Sequence, residues 1–185
     1  RYSLEETAVI ELGYAHLVRS PNLYERYAWS SWAMAAAMNN FVGDGNGYVG
    51  DIDLKPEQAD TVALTFDWHS PERDWELRAT PYYTHVTDYI DAIPFDSAAW
   101  QPDQFNVLRY ANQEARIYGI DVAAKAPLWE GGAGRFGVEG LLGYTRGKNL
   151  DTDDGLYNIM PLNLTLTLTH RLGGWDNAVE GVMVD

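Results

Sequence analysis

The stretch WSSWAMAAAMNN places Met34 and Met38 four residues apart, behind Trp29 and Trp32. On a helical turn residues four apart share a face, so the two thioethers could hold a soft ion such as Cu(I). The plainer use of the same residues is packing beneath the two tryptophans, since methionine fills irregular apolar gaps, and packing is the expectation. The stretch GDGNGYVGDID sets Asp44, Asn46, Asp51 and Asp53 at spacings that a calcium loop uses. The ladder lacks its closing glutamate, so the stretch reads as a glycine-rich turn with solvated carboxylates. Asp151, Asp153 and Asp154 read as an acidic loop tip. His16, His69, His85 and His170 are isolated from one another in sequence, with no metal-ligand spacing between any two. No stretch isolates an acidic pair in an apolar setting that would raise one pKa for glycosidase-type catalysis. With no cysteine, neither a disulfide framework nor a thiolate metal site can form. These residues point away from an enzyme and imply no cofactor.

The elements that must position such residues are strands. In PLNLTLTLTHRLGG, Leu162, Leu164, Leu166 and Leu168 alternate with Asn163, Thr165, Thr167 and Thr169. That period of two predicts a strand with one apolar and one polar face. About seven such strands are predicted, over 6–18, 57–68, 75–88, 107–126, 136–144, 162–169 and 178–184. Pro81 lies inside the third, and a bulge is expected there because proline cannot donate to a ladder. A run of about 18 apolar residues, as a membrane helix needs, is absent. The net charge of −14, with 13 Lys and Arg against 27 Asp and Glu, argues against a nucleic-acid partner.

Connections between the strands alternate long and short. Residues 20–56, 89–106 and 147–161 are long, whereas HSPERD, WEGGAG and GGWD are short. Trp68, Trp75, Trp129 and Trp175 all sit beside the short turns. Outer-membrane barrels sort their loops in this way and carry aromatic girdles at the interfaces. A secreted, aromatic-rich β-sandwich that binds carbohydrate is the alternative from another class, and a hydrolase on a β scaffold is a third that no specific residue supports.

Five motifs, in order, resemble the TonB-dependent receptors of the Gram-negative outer membrane. VRSPNLYERY resembles the Arg-x-Pro-Asn-Leu-x-Glu stretch, through Arg19, Pro21, Asn22, Leu23 and Glu25. Leu54, Lys55, Pro56 and Glu57 resemble the Leu-Lys-Pro-Glu signature that opens a strand. Tyr82 and Tyr83, followed by Asp88, Tyr89 and Ile90, match a third motif, and Asn112 with Gly119, Ile120 and Asp121 a fourth. Pro161 matches the proline that starts a late strand. The resemblance implies an all-β, antiparallel transmembrane segment of about seven strands from a barrel of roughly 22, with a plugged lumen. Residues 1–185 would all belong to the barrel domain, and the plug and the terminal strands would lie outside them. The implied function is import of a scarce ligand, such as a ferric siderophore or another metal chelate, with cobalamin and sugars as further candidates. The implied partners are outer-membrane lipid, the small-molecule or metal-chelate ligand and, through the N-terminal part, the TonB complex.

Ligand contacts are expected from the long loops, at Tyr24, Arg26, Trp29, Trp32, Met34, Met38, Tyr48 and Trp100. The lumen face is expected to hold Glu11, Thr61, Thr65, Asp67, Glu76, Arg78, Tyr82, Asp121, Glu139, Thr165, Thr167, Thr169 and Arg171. The loop alternation makes a direct prediction. On intact cells, cysteines introduced at Gly45 and Asp153 should react with an impermeant thiol label, and cysteines at Gly132 and Gly174 should not. Labelling of the second pair would overturn the topology.

Overall fold

The computed structural model describes residues 2–39 and 42–185. Its strands are β1 (Tyr2–Glu5), β2 (Ala8–Arg19), β3 (Gly47–Val49), β4 (Glu57–His69), β5 (Glu76–Pro94), β6 (Val107–Gly131), β7 (Gly134–Asn149), β8 (Asn163–Leu172) and β9 (Trp175–Val184). Two short helices, α1 (Leu23–Tyr27) and α2 (Ala33–Asn39), sit in the first long connection. The path β1-β2-β4-β5-β6-β7-β8-β9 is an antiparallel meander, and β3 joins it by pairing parallel with β6. The predicted strands are all present, most of them longer than expected. Two more appear: the expected first strand begins one hairpin late, with Glu6 in the β1–β2 turn, and β3 is too short to carry a period.

The register gives the sheet two consistent faces. Ile10 faces Phe66, Phe66 faces Ala79, Ala79 faces Val122, Val122 faces Leu142, Leu142 faces Leu164 and Leu164 faces Met183. One apolar row therefore crosses the whole sheet. Because the side-chain period is two, the neighbouring row is forced onto the opposite face. There Glu11 meets Thr65, Asp67 meets Arg78, Lys125 meets Glu139 and Glu139 meets Thr167. Hydroxyl ladders tie this face together, with Thr61 and Thr84 Oγ1 atoms 2.8 Å apart and those of Thr65 and Thr80 3.0 Å apart. By register, the thirteen residues expected on the lumen face share this one face of the sheet.

Pro81 does not make a bulge. Ala63 faces Tyr82 and Phe66 faces Ala79, so the β4–β5 register is the same on both sides of the proline, and Pro81 itself is paired with Ile120. The bulge lies higher, between Val86 and Tyr89, where Asp88 takes a left-handed backbone with φ of 56°. The extra residue switches which residues of β5 share a face, so Asp91 above the bulge lies on the side that even-numbered residues occupy below it.

Length sorts the two ends of the sheet. β6 has 25 residues, more than twice what a tilted strand of about 9–11 residues needs to cross a bilayer. At the short-turn end the rings cluster: Trp68 and Trp75 meet edge-on at 4.8 Å, Trp129 lies 5.7 Å from Phe136, and Phe136 stacks on His170 at 4.4 Å. At the other end of the apolar band, Tyr14, Val62, Tyr83 and Tyr118 form one row, and His16, Asp60, His85 and Arg116 form the next polar row above it. His16 and His85, distant in sequence, thus both flank Asp60, with His16 Nδ1 2.9 Å from its Oδ1.

The two faces can be tested separately. Leu164→Arg or Val62→Arg puts a charge in the apolar rows and is expected to cost about 2–4 kcal/mol near a bilayer midplane. Thr165→Arg, one residue along, should be far milder. Urea unfolding in lipid vesicles measures the difference, and equal losses at Leu164 and Thr165 would contradict two environments.

Candidate functional site

The long connections fold against the upper part of β6 and build a walled space there. The first begins at Arg19, whose Nε lies 2.5 Å from Glu57 Oε2 and whose Nη1 donates to Glu25 Oε1 at 2.9 Å. Both carboxylates are buried. Asn22 caps α1: its Oδ1 accepts the Glu25 amide at 2.9 Å, and Glu25 Oε2 accepts the Asn22 amide at 2.7 Å, a reciprocal capping box. Glu57 Oε1 also accepts the Ile90 amide at 2.7 Å, next to the β5 bulge.

Asn112 closes the same assembly from β6. Its Oδ1 accepts the Lys55 amide at 2.9 Å, while its Nδ2 donates to the carbonyls of Lys55 at 3.0 Å and Asp88 at 2.8 Å. Gly119 clears a second crossing: a Cβ there would lie 2.6 Å from the Tyr82 hydroxyl, which reaches Thr145 Oγ1 at 2.6 Å. Four of the sequence motifs therefore meet, or clear a contact, among β2, β4, β5 and β6.

From α1 the chain runs back over itself. The amides of Ser30 and Gly50 donate to the carbonyls of Tyr48 and Ala28 at 2.9 and 2.7 Å. This brings β3 beside β6, with Tyr48 opposite Leu108. Tyr48 stacks on Tyr110 at 5.6 Å, and Ala28, Tyr48 and Leu108 form a small buried cluster. The second connection is organised by the buried Asn106, whose Nδ2 donates to the carbonyls of Gln101 and Gln104, while its own amide donates to Asn46 Oδ1 at 3.0 Å. The third tucks Leu156 against Val86 and Ala115, and Asn149 Nδ2 donates to Asp91 Oδ2 at 2.9 Å.

Between these three connections lies a cavity of about 700 Å³. Asp44 and Tyr48 line it from the first, Trp100 from the second and Tyr157 from the third, with Asp91 and Tyr110 on the strands beneath. The Tyr48 hydroxyl donates to Asp44 Oδ2 at 2.6 Å, and Asn46 donates to both Asp44 oxygens. Burial works to raise the Asp44 pKa, but these donors outweigh it and hold the carboxyl below its ordinary value. Burial, then the bond to Asp44, pushes the Tyr48 phenol up.

Of the eight residues expected to contact ligand, the structure brings Tyr48 and Trp100 to this cavity. Tyr24, Arg26, Trp29, Trp32, Met34 and Met38 lie on the first connection away from its walls. Met34 and Met38 are 62% and 81% exposed, and Trp29 and Trp32 are 76% and 61% exposed, so the expected packing of the methionines under the tryptophans is not what forms. The helix is only two turns long and presents both sulfurs outward. Asp91 and Tyr157 escaped sequence reasoning because they lie on a strand extension and a loop, and Tyr110 because its place in the expected strand 107–126 does not mark it as lining a cavity. Among the described residues no group of three or more His, Asp or Glu could hold a metal ion.

The family description "TonB dependent receptor-like, beta-barrel" matches residues 1–184. The chain belongs to the TonB-dependent receptor family. No curated protein sequence matches it. Solved structures share its fold. The copper transporter OprC superposes with a TM-score of 0.70 at 19% identity, over 99% of this chain and 25% of that one. The alcaligin outer-membrane receptor FauA from Bordetella pertussis gives 0.55 at 17% identity, over 97% and 27%. The pyoverdine outer-membrane receptor FpvA from Pseudomonas aeruginosa gives 0.61 at 12% identity, over 94% and 21%. This TonB-dependent receptor segment thus spans about a quarter of the length of such structures. By name these neighbours are receptors and a transporter, not enzymes, and the carbohydrate-binding sandwich finds no support among them.

The assembly around Arg19 and Asn112 generates a prediction for the receptor. Arg19→Met leaves two buried carboxylates facing each other, and Asn112→Ala removes three hydrogen bonds, for an expected cost of about 1–3 kcal/mol each. Limited proteolysis of the intact receptor should then cut within residues 20–56 while the strands stay resistant. Unchanged resistance of that connection would show that the contacts hold nothing in place.

Proposed function

We propose that this segment belongs to an outer-membrane active-transport receptor that binds a scarce ligand, such as a ferric siderophore or another metal chelate, at the long-loop end of its barrel. Transport would be energised by the TonB complex through parts of the receptor outside this segment. The apolar rows would face outer-membrane lipid and the polar face the lumen. The observation that carries the reading is the cavity clasped by all three long connections, since long loops inside a compact fold are uncommon without a function. A space of about 700 Å³ is of the size that takes a small organic ligand.

In this reading Trp100 and Tyr110 supply flat surfaces against which an organic chelate lies, and Asn46 and Asp44 orient its polar groups. A second reading draws on the exposed pair Met34 and Met38, one helical turn apart, which could offer two soft ligands to Cu(I); the likeness to a copper transporter supports it only at the level of fold.

Calorimetry on the purified full-length receptor separates the two. Under the chelate reading, Trp100→Ala should weaken ferric-chelate binding about three- to ten-fold through loss of ring contact, and Met34→Leu with Met38→Leu should be nearly silent because volume and apolarity are kept. Cu(I) binding that vanishes in the double leucine variant, with ferric chelates failing to bind, would replace the first reading by the second.

A further inference from the structure

The cavity has a one-sided charge. Asp44, Asp91 and Asp154 line it together with the rings of Tyr48, Trp100 and Tyr110, and among the described residues no lysine, arginine or histidine lines it. Neutral groups satisfy two of the carboxylates. Asp44 receives the Tyr48 hydroxyl and Asn46, and Asp91 receives Asn149 Nδ2 at 2.9 Å and the Ala92 amide at 2.8 Å. The lysine on the adjoining end of β7, Lys148, is committed to Asp153 at 2.5 Å, outside the lining.

Asp44 and Asp154 are exposed and Asp91 is half-buried, and these carboxylates, with no cation in the lining, give the site a negative potential. They repel a second anion and favour a cation. Ring faces add to this, because a cation over Trp or Tyr is attracted by the negative face of the ring. An anionic chelate would need cationic partners, as carboxylate and phosphate ligands do, and this part of the site offers none.

We infer that the ligand presents a cationic group, an ammonium or a guanidinium, to this cavity. The inference rests on the transport reading and adds the charge of the ligand to it. Asp44 and Asp154 flank the cation, and Trp100 with Tyr110 provides the ring faces.

Calorimetry on the full-length receptor tests it with three probes: a linear ferric trihydroxamate carrying a terminal ammonium, the same chelate made neutral by N-acetylation, and an anionic ferric tricatecholate. The ammonium chelate should bind about ten-fold tighter than its acetylated form, and the tricatecholate more weakly than both. Asp154→Asn, and Asp44→Asn with Asp154→Asn, should bring the ammonium-to-acetyl ratio towards one, whereas Asp74→Asn at a short turn should keep it. Equal affinities for the two hydroxamates, a tighter tricatecholate, or a ratio untouched by the cavity variants overturns the inference and leaves the transport reading standing. Binding of none of the three overturns that reading and the inference with it.

Discussion

An unbroken antiparallel register carries Ile10, Phe66, Ala79, Val122, Leu142 and Leu164 into one row, and the other features of the fold depend on it. In a sheet the two faces are coupled through the period of two, so a slip of one residue on any strand would interleave carboxylates with leucines. The hydroxyl and ion-pair contacts of the polar face help fix the alignment. Arg73 reaches Asp67 at 3.5 Å and Glu76 at 3.3 Å, and Lys125 reaches Glu76 at 3.3 Å. Surface pairs of this kind add little stability singly. They do, however, connect β4, β5 and β6 near the short turns.

At the far end the register ends in a bulge, and the bulge is where the loops attach. Asp88 adopts its left-handed conformation, Asn112 holds the carbonyl this exposes, and the same amide side chain grips Lys55 just before β4 begins. Arg19 meets Glu57 and Glu25 from the adjacent strand end. A buried carboxylate pair without its cation would be strongly unfavourable, so this guanidinium and the α1 capping box stand or fall together. The cavity is then walled by anchored loops: the chain from Arg19 to Glu57 is held at both ends, and between them β3 docks on β6.

Much of this was legible in the sequence, for identifiable reasons. The leucine–threonine alternation of 162–169 specified both a strand and the composition of its two faces, because period two survives along the whole strand. Loop lengths and the placement of Trp68, Trp75, Trp129 and Trp175 ordered the ends. The motif residues were visible as a set, but not their roles, since Arg19, Glu57 and Asn112 are far apart in sequence and meet only through pairing. Pro81 misleads because a missing donor suggests a bulge, whereas the β4–β5 ladder passes over that position in unchanged register and β6 pairs alongside it. The methionine pair misled in another way: spacing put both sulfurs on one face, yet nothing in the spacing said whether that face would be covered. The lining of the cavity was least legible. Asp91 gains its position from the extension of β5 and Tyr110 from the upper end of β6, both beyond the apolar rows, where alternation no longer reports burial.

Adjacent residues of one strand are proposed to meet different media, and residues 1–185 bring no cysteine of their own to a thiol test. Single cysteines placed in turn at 163–169 of the full-length receptor in its native membrane, treated with a water-soluble thiol reagent, give the most direct measurement. Reaction is expected at Asn163, Thr165, Thr167 and Thr169, and protection at Leu164, Leu166 and Leu168. Uniform reactivity along the strand, or reaction at the leucine positions alone, would contradict the proposal.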